Sequence, residues 1–312
     1  MKFNACSTIM ENIAKVIVGK RASIELIIVA LLSDGHVLLE DVPGQGKTLI
    51  AKTLAKSIGG TYKRIQFTPD LLPSDITGFN VYNQRSCDFT FQPGPVMANI
   101  LLADEINRTI PRTQSSLLES MEERQITVDG NTMELPHPFF VIATQNPIEL
   151  EGTFPLPEAQ LDRFLLRINL GYPDKAEEIE ILNRFQESDP SLTITSVIRP
   201  EELTELQRMR KKVLVSDHVK EYIADIAKAT REHPTLRYGI SPRGSLGLMR
   251  AAQGLAALRG REYVLPDDIK KLAHPVLDHR LIVNEEERLR GTKAEEILDS
   301  IINTVPVSVQ LN

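Results

Sequence analysis

The chain has 312 residues, 42% of them apolar, which suffices for one large domain or two ordinary ones. Its formal net charge of −6, from 36 basic and 42 acidic side chains, gives no general attraction to nucleic acid or an anionic membrane. Two cysteines, Cys6 and Cys87, are too few for a disulfide framework or a zinc site and read as free thiols in a reducing compartment. The opening "MKFNACSTIMENIAK" is polar throughout and has no signal-peptide pattern. The longest apolar run, "LIIVALL" (26–32), is too short to span a bilayer, so a soluble cytoplasmic protein is expected.

In chain order, "HVLLE" (36–40) reads as a short apolar strand. Gly46 to Ile58 reads as a helix, with Ile50, Leu54 and Ile58 on one face and Gly59-Gly60 as its stop. "YKRIQF" (62–67) is a second strand. "FNVYNQRSCDFTFQPGP" (79–95) reads as a hairpin with a loose turn. "NILLAD" (99–104) is an apolar run of the buried-strand type, followed by a helix over 111–123 with Pro111 in its first turn. "QITVDGNTMEL" (125–135) carries Asp129-Gly130 between alternating flanks, a tight-hairpin signal. "FFVIAT" (139–144) and "FLLRINL" (164–170) are the fourth and fifth sheet strands. Strands alternating with helices predict an α/β fold, a parallel five-stranded sheet covered on both faces, with the two hairpins projecting from it. After "GYPD" (171–174) strand signals nearly vanish. Four amphipathic helices follow, marked by Ile179, Leu182 and Phe185; by Val219, Tyr222, Ile223 and Ile226; by Leu248, Ala251, Leu255 and Leu258; and by 266–281, bent or broken at Pro275. The predicted division is 1–172, carrying both hairpin insertions, and an all-helical 173–312.

Five stretches carry chemistry. "DVPGQGKT" (41–48) sits between a strand and a helix, close to the phosphate-loop pattern G-x-x-x-x-G-K-[ST]. Gly44 and Gly46 permit the tight wrap in which backbone N–H groups meet phosphate oxygens at a helix N-terminus. Lys47 would reach the β- and γ-phosphates, and the Thr48 hydroxyl would ligate Mg²⁺. Asp41 stands where the pattern has its first glycine and is expected to take no part in the chemistry. "NILLADEIN" (99–107) ends an apolar strand in two carboxylates; Asp104 would hold Mg²⁺ through water and Glu105 would activate the attacking water. In "ATQNP" (143–147), Asn146 either positions that water or starts a turn. In "LPEAQLDRFLLRINL" (156–170), Arg163 is a candidate arginine finger, against the plainer reading of a surface ion pair with Asp162 or Glu158. In "YGISPRGSLGLMRAAQ" (238–253), Ser241 caps a helix and Pro242 fills its first position. Arg243 lies in that first turn, where a cation opposes the helix dipole. From there it could reach a γ-phosphate and couple nucleotide state to domain closure.

With these five in order, the chain resembles the MoxR family of AAA+ ATPases over nearly its full length. The motifs are "HVLLEDVPGQGKT", "LLADEINR", "TQSSLLESMEER", "ATQNP", "GTFPLPEAQLDRF" and "SPRG". The resemblance implies an AAA+ P-loop core followed by a smaller helical lid, with ATP between the core and lid of one subunit. The hairpins would be a helix-2 insert and a pre-sensor-1 hairpin. Asn146 would be sensor 1, Arg243 sensor 2, and Arg163 the finger given to a neighbouring subunit, with Arg167 as the fallback. Val18 and Gly19 would lie against the adenine. Pro43, Gln45 and Leu49 would complete the ATP-binding set with Gly44, Gly46, Lys47 and Thr48. Similar proteins form hexameric rings and remodel protein clients, often with a von Willebrand factor A (VWA) domain partner. Arg108 and Arg112 would be helpers at the subunit interface or a solvated helix face. A metal-chelatase motor subunit is a near alternative. A nucleic-acid motor of the MCM kind is disfavoured by the net charge. A non-hydrolysing scaffold is disfavoured by the complete set for turnover.

Overall fold

The apolar runs that read as buried strands lie side by side in one sheet. In the computed structural model, which describes residues 4–42, 44–85, 87–146, 152–187 and 189–307, these are β1 (Val37–Glu40), β2 (Tyr62–Gln66), β3 (Ile100–Asp104), β4 (Phe140–Gln145) and β5 (Leu166–Ile168). Their spatial order is β2-β3-β4-β1-β5, and every pairing is parallel. Successive side chains of a strand point to opposite faces. Accordingly Val37, Leu39, Leu102 and Ile142 join one apolar cluster, while Leu38, Leu101, Ala103 and Val141 join a second on the other face. The expected five-stranded parallel sheet is present, and all its strand C-termini share one edge.

The hairpins form as read. Gly78–Asn83 pairs with Asp88–Pro93, and Gln125–Val128 with Asn131–Glu134 across Asp129-Gly130, both with positive φ. Asn80 Nδ2 donates to Asp129 Oδ2 at 2.8 Å and joins the two hairpins.

Beyond residue 171 the chain is mainly helical, with one small antiparallel pair, Leu236–Tyr238 with Ile282–Val283, that the sequence did not suggest. Val219, Tyr222, Leu248, Leu255 and Leu272 of this half belong to the same apolar cluster as the N-terminal helices Asn4–Ala14 and Arg21–Leu32. Helix Pro242–Leu258 crosses Arg21–Leu32 closely at Gly254, where a Cβ would come within 2.5 Å of Ser33 Oγ.

Two expectations are corrected. Ile179, Leu182 and Phe185 of helix Lys175–Glu187 do not pack inward; they are 49%, 67% and 40% exposed. This helix meets the body through polar groups instead, with Arg184 Nη1 donating to Ala14 O at 2.8 Å and Lys15 O at 2.9 Å. The helix over Pro266–Leu277 is not broken at Pro275 but runs through it and stops two residues later.

His36, at the entry to β1, is fully enclosed. Its Nδ1 accepts the Val141 N–H at 3.0 Å, so Nε2 carries the proton and donates to Met121 O at 3.2 Å. Burial, reinforced by Arg124, pushes its pKa well below 6.5. The unfolded chain therefore binds a proton that the folded chain refuses. The stability this contributes is present above about pH 6.5 and lost as pH falls below it, by up to about 1.4 kcal/mol per pH unit. Denaturant unfolding at pH 6 and pH 5 should show wild type losing about that much more than His36→Gln. Equal pH slopes would remove His36 from this account.

Candidate active site

The shared C-terminal edge of the sheet carries the phosphate-type loop. Gly44 and Gly46 have φ of +90° and +79°, and a Cβ on either would meet nothing within 4 Å, so conformation and not space asks for glycine. Gly46 leads directly into helix Lys47–Ser57, whose first N–H groups have no partner within the helix. Loop and helix start open on a cleft of about 440 Å³ lined by Gly44, Gly46, Lys47, Thr48 and Leu49. Across it lie Arg64, Gln66, Asp104, Glu105 and Asn146. Lys47 Nζ donates to the backbone oxygen of Asp41 at 2.7 Å. Burial lowers the Lys47 pKa, opposed by the charges of Asp41, Asp104 and Glu105.

The two carboxylates are held by neighbouring strands. Thr144 of β4 donates from Oγ1 to Asp104 Oδ1 at 2.6 Å and accepts the Glu105 N–H at 2.8 Å. Arg64 and Gln66 come from β2, where alternation puts both on the side opposite buried Ile65. Arg64 Nη2 donates to Asp104 Oδ2 at 2.6 Å, and Gln66 Nε2 to Glu105 Oε2 at 2.8 Å. Arg108, its side chain 41% exposed, adds an ion pair to Glu105 Oε2 at 3.2 Å, and Arg112 is exposed. Glu105 itself has φ 58° and ψ 50°, a left-handed conformation costing a non-glycine residue of order 1–3 kcal/mol. Asn146, just past β4, is 7% exposed. Hydroxyl and carboxylate oxygens, from Thr48 and Asp104, are the donors that suit a phosphate-bound Mg²⁺, which keeps several waters of its own. Among the described residues no group of three or more His, Cys, Asp or Glu is gathered for a metal.

Of the other residues expected around a nucleotide, Gln45 lies between the two loop glycines and Pro43 lies outside the described residues. Val18 and Gly19 line a different cavity, of about 480 Å³, against the N-terminal helices and Arg184. Gly19 has φ +65°, and a Cβ there would collide with the Glu177 carboxylate.

Arg163 and Arg243 do not enter the Lys47 cleft. They line a third cavity, of about 570 Å³, together with Asp34, Gly35 and His36, which precede β1. This is the opposite, N-terminal edge of the sheet. Glu122 binds both: Arg163 Nε lies 3.1 Å from Oε2, and Arg243 Nη2 pairs with Oε1. Arg163 thus pairs with neither Asp162 nor Glu158, and Asp162 is taken by Arg280 Nε at 2.6 Å. The within-chain reach of Arg243 to the γ-phosphate is absent here. Ser241 Oγ does accept the Gly244 N–H at 3.3 Å as the expected cap. Ser33 Oγ donates to Arg250 O at 3.0 Å and, with the close crossing at Gly254, fixes this helix at the far edge. Arg167 stands apart, 3.4 Å from Glu40 and 3.7 Å from Glu295.

Sequence reading missed Arg64, Gln66, Thr144 and Glu122. The first two were signalled by polar residues alternating with Ile65 at a strand's C-terminal end, and Thr144 by a hydroxyl ending an apolar run. Glu122 had no local signal, since its partners are 41 and 121 residues away. Cys6 and Cys87 are free thiols; burial pushes Cys6 up to about 12, which leaves it unreactive. Among the described residues no helix is long and apolar enough to cross a membrane.

Residues 36–166 match the ATPase family associated with various cellular activities (AAA), and 228–301 match the AAA lid domain. The chain is 54% identical over 301 residues to the uncharacterized protein YeaC of Bacillus subtilis, covering 96% of this chain and 94% of that one. It is 44% identical over 303 residues to the chaperone MoxR1 of Mycobacterium tuberculosis, covering 94% and 80%. A solved structure of a candidate ATPase from Cytophaga hutchinsonii superposes with a TM-score of 0.93 at 39% identity, covering 99% and 96%.

Proposed function

The chain belongs to the MoxR family of AAA+ ATPases, and from that premise we propose that it hydrolyses ATP to ADP and phosphate in a ring of like chains and remodels a protein client. The observation that carries the ring is the division of the charged groups between two sheet edges. Lys47, Asp104 and Glu105 stand at one edge, Arg163 and Arg243 at the other. The four residues of β1 alone separate the edges by about 13 Å. Glu122 lies about 16 Å along helix Pro111–Glu123 from its start. No arginine side chain spans that distance to its own chain's phosphates. A head-to-tail neighbour, whose far edge meets this chain's cleft, supplies them, and repetition of that contact closes a ring, hexameric in similar proteins.

We infer the following roles. Backbone N–H groups of Gly44 and Gly46, with Lys47, hold the β- and γ-phosphates. Thr48 and Asp104 would hold Mg²⁺, which when bound neutralises phosphate charge. Glu105, fixed by Thr144, Gln66 and Arg108, accepts a proton from the attacking water. Asn146 orients that water with its amide. The neighbour's Arg163 exchanges Glu122 for the γ-phosphate and stabilises charge there in the transition state, and Arg243 acts from the same direction. The family resemblance alone supports an adenine contact at Val18 and Gly19, which line a cavity separate from the Lys47 cleft. We place the domain division at about residue 172, just past the last sheet strand and upstream of the lid match at 228–301.

The client reading is supported by the relative named a chaperone and by the 78–93 hairpin, which exposes Phe79, Tyr82 and Phe89 at 48%, 50% and 66%. A VWA-domain protein is the partner class that the family resemblance implies. Phosphate release from ATP with Mg²⁺, measured against protein concentration, tests the catalytic reading. Specific activity should rise with concentration as chains assemble, and Arg243→Ala should bind ATP within about twofold of wild type while turning over slowly. Concentration-independent activity, or ATP binding lost with Arg243, would contradict it.

A further inference from the structure

Asp41 was expected to be a bystander, and it is instead buried, 5% exposed, between three parts of the chain. Its carboxylate accepts two backbone N–H groups, Leu170 at 2.6 Å on Oδ2 and Gly171 at 3.0 Å on Oδ1. Its own carbonyl accepts the Lys47 ammonium at 2.7 Å. The next peptide group along is held as well, since Lys20 Nζ donates to Gly171 O at 2.8 Å. Gly171 opens the segment that leads into helix Lys175–Glu187, and that helix sets Glu177 over Gly19. Asp174 accepts the Glu177 N–H at 2.8 Å, and Glu177 accepts the Asp174 N–H at 3.0 Å, so the helix start is rigidly capped. A continuous path therefore runs from Lys47 through Asp41 and Gly171 to Gly19.

We propose that Asp41 is a positioning residue that ties the phosphate-binding Lys47 to the Leu170–Gly171 segment and, through it, to the Gly19–Glu177 wall of the neighbouring cavity. This rests on the nucleotide-binding reading above. The Lys47 ammonium has three N–H donors, so one can stay on the Asp41 carbonyl while the others meet a phosphate. A phosphate that pulls on Lys47 therefore loads the Asp41 carbonyl, and Asp41 passes that load to Leu170 and Gly171 through its carboxylate. Asparagine is a poor replacement, because its NH₂ would face an N–H donor where the carboxylate presents two acceptors.

The test is amide hydrogen exchange over residues 168–176, with and without MgATP, alongside binding of a fluorescent ATP analogue and steady-state hydrolysis. In wild type, MgATP should change exchange at Leu170 and Gly171. In Asp41→Asn the Leu170 amide should exchange at least about tenfold faster, with no further response to MgATP, while the Gly171 amide keeps Asn169 Oδ1 at 2.8 Å as an acceptor and changes less. KM for ATP should rise by about tenfold while kcat falls by less than about threefold, because the reacting groups stay in place. Should Asp41→Asn fold poorly, Lys20→Met releases the adjoining Gly171 carbonyl without touching the phosphate loop. It should show the same loss of MgATP response. A variant pair that responds to MgATP as wild type does, with unchanged KM, overturns the role of Asp41. Failure of wild type itself to bind the analogue would instead overturn the nucleotide reading.

Discussion

Glu105→Gln should bind MgATP as tightly as wild type and turn it over at least about 100-fold more slowly, within the usual range for loss of a general base. Affinity is expected to hold because the proposed phosphate grip of Gly44, Gly46 and Lys47 makes no bond to the Glu105 side chain. The amide can still accept from Gln66 and Arg108, so the strained left-handed backbone and the cleft keep their shape. What is lost is proton acceptance from water. Rapid quench of radiolabelled ATP, read beside equilibrium binding, separates the two. Brisk hydrolysis by this variant would take Glu105 out of its role. A variant held on ATP is also the natural bait for the client, because assembly and client grip would persist without turnover.

Arg163→Ala should leave ATP affinity within about twofold and lower turnover by roughly 10³- to 10⁵-fold, the range for an arginine that neutralises charge in phosphoryl transfer. The separation of effects comes from distance. Arg163 lies at the sheet's far edge with Glu122, so its removal cannot disturb the phosphate loop of its own chain. A minor confounding effect is the loss of the Arg163–Glu122 ion pair. Both partners are about a third exposed, and such pairs contribute only about 0–1 kcal/mol to stability. Loss of ATP binding in this variant would mean that Arg163 serves its own chain.

The phosphate loop, the carboxylate pair and the five strands could be read from the chain because each is a local pattern. Alternating or continuous apolar runs ended at Asp104 and Asn146, and glycines bracketed a helix start at Lys47. The parallel sheet then brought these ends to one edge without further instruction. What could not be read depended on long-range packing. Arg243 looked like a lid residue facing its own nucleotide until the crossing at Gly254 carried its helix to the other edge. Ile179, Leu182 and Phe185 had a helical spacing that ordinarily means burial, yet the helix turns its polar groups to the body. Asp41 replaced a glycine in a familiar pattern, and only the return of residues 170–171 to the loop shows its carboxylate in use.

The central claim is that each hydrolytic site is completed by a second chain, and a mixing experiment tests it most directly. Lys47→Ala chains lack the phosphate grip but keep Arg163; Arg163→Ala chains have the reverse defect. Each alone should be nearly inactive. When the two are unfolded together or exchanged and reassembled in equal amounts, about a quarter of the interfaces pair an intact Lys47 with a neighbour's intact Arg163. ATPase activity should recover to about that fraction of wild type. No recovery, with mixed assemblies demonstrated by differential tagging, would contradict the account and return Arg163 to its own subunit.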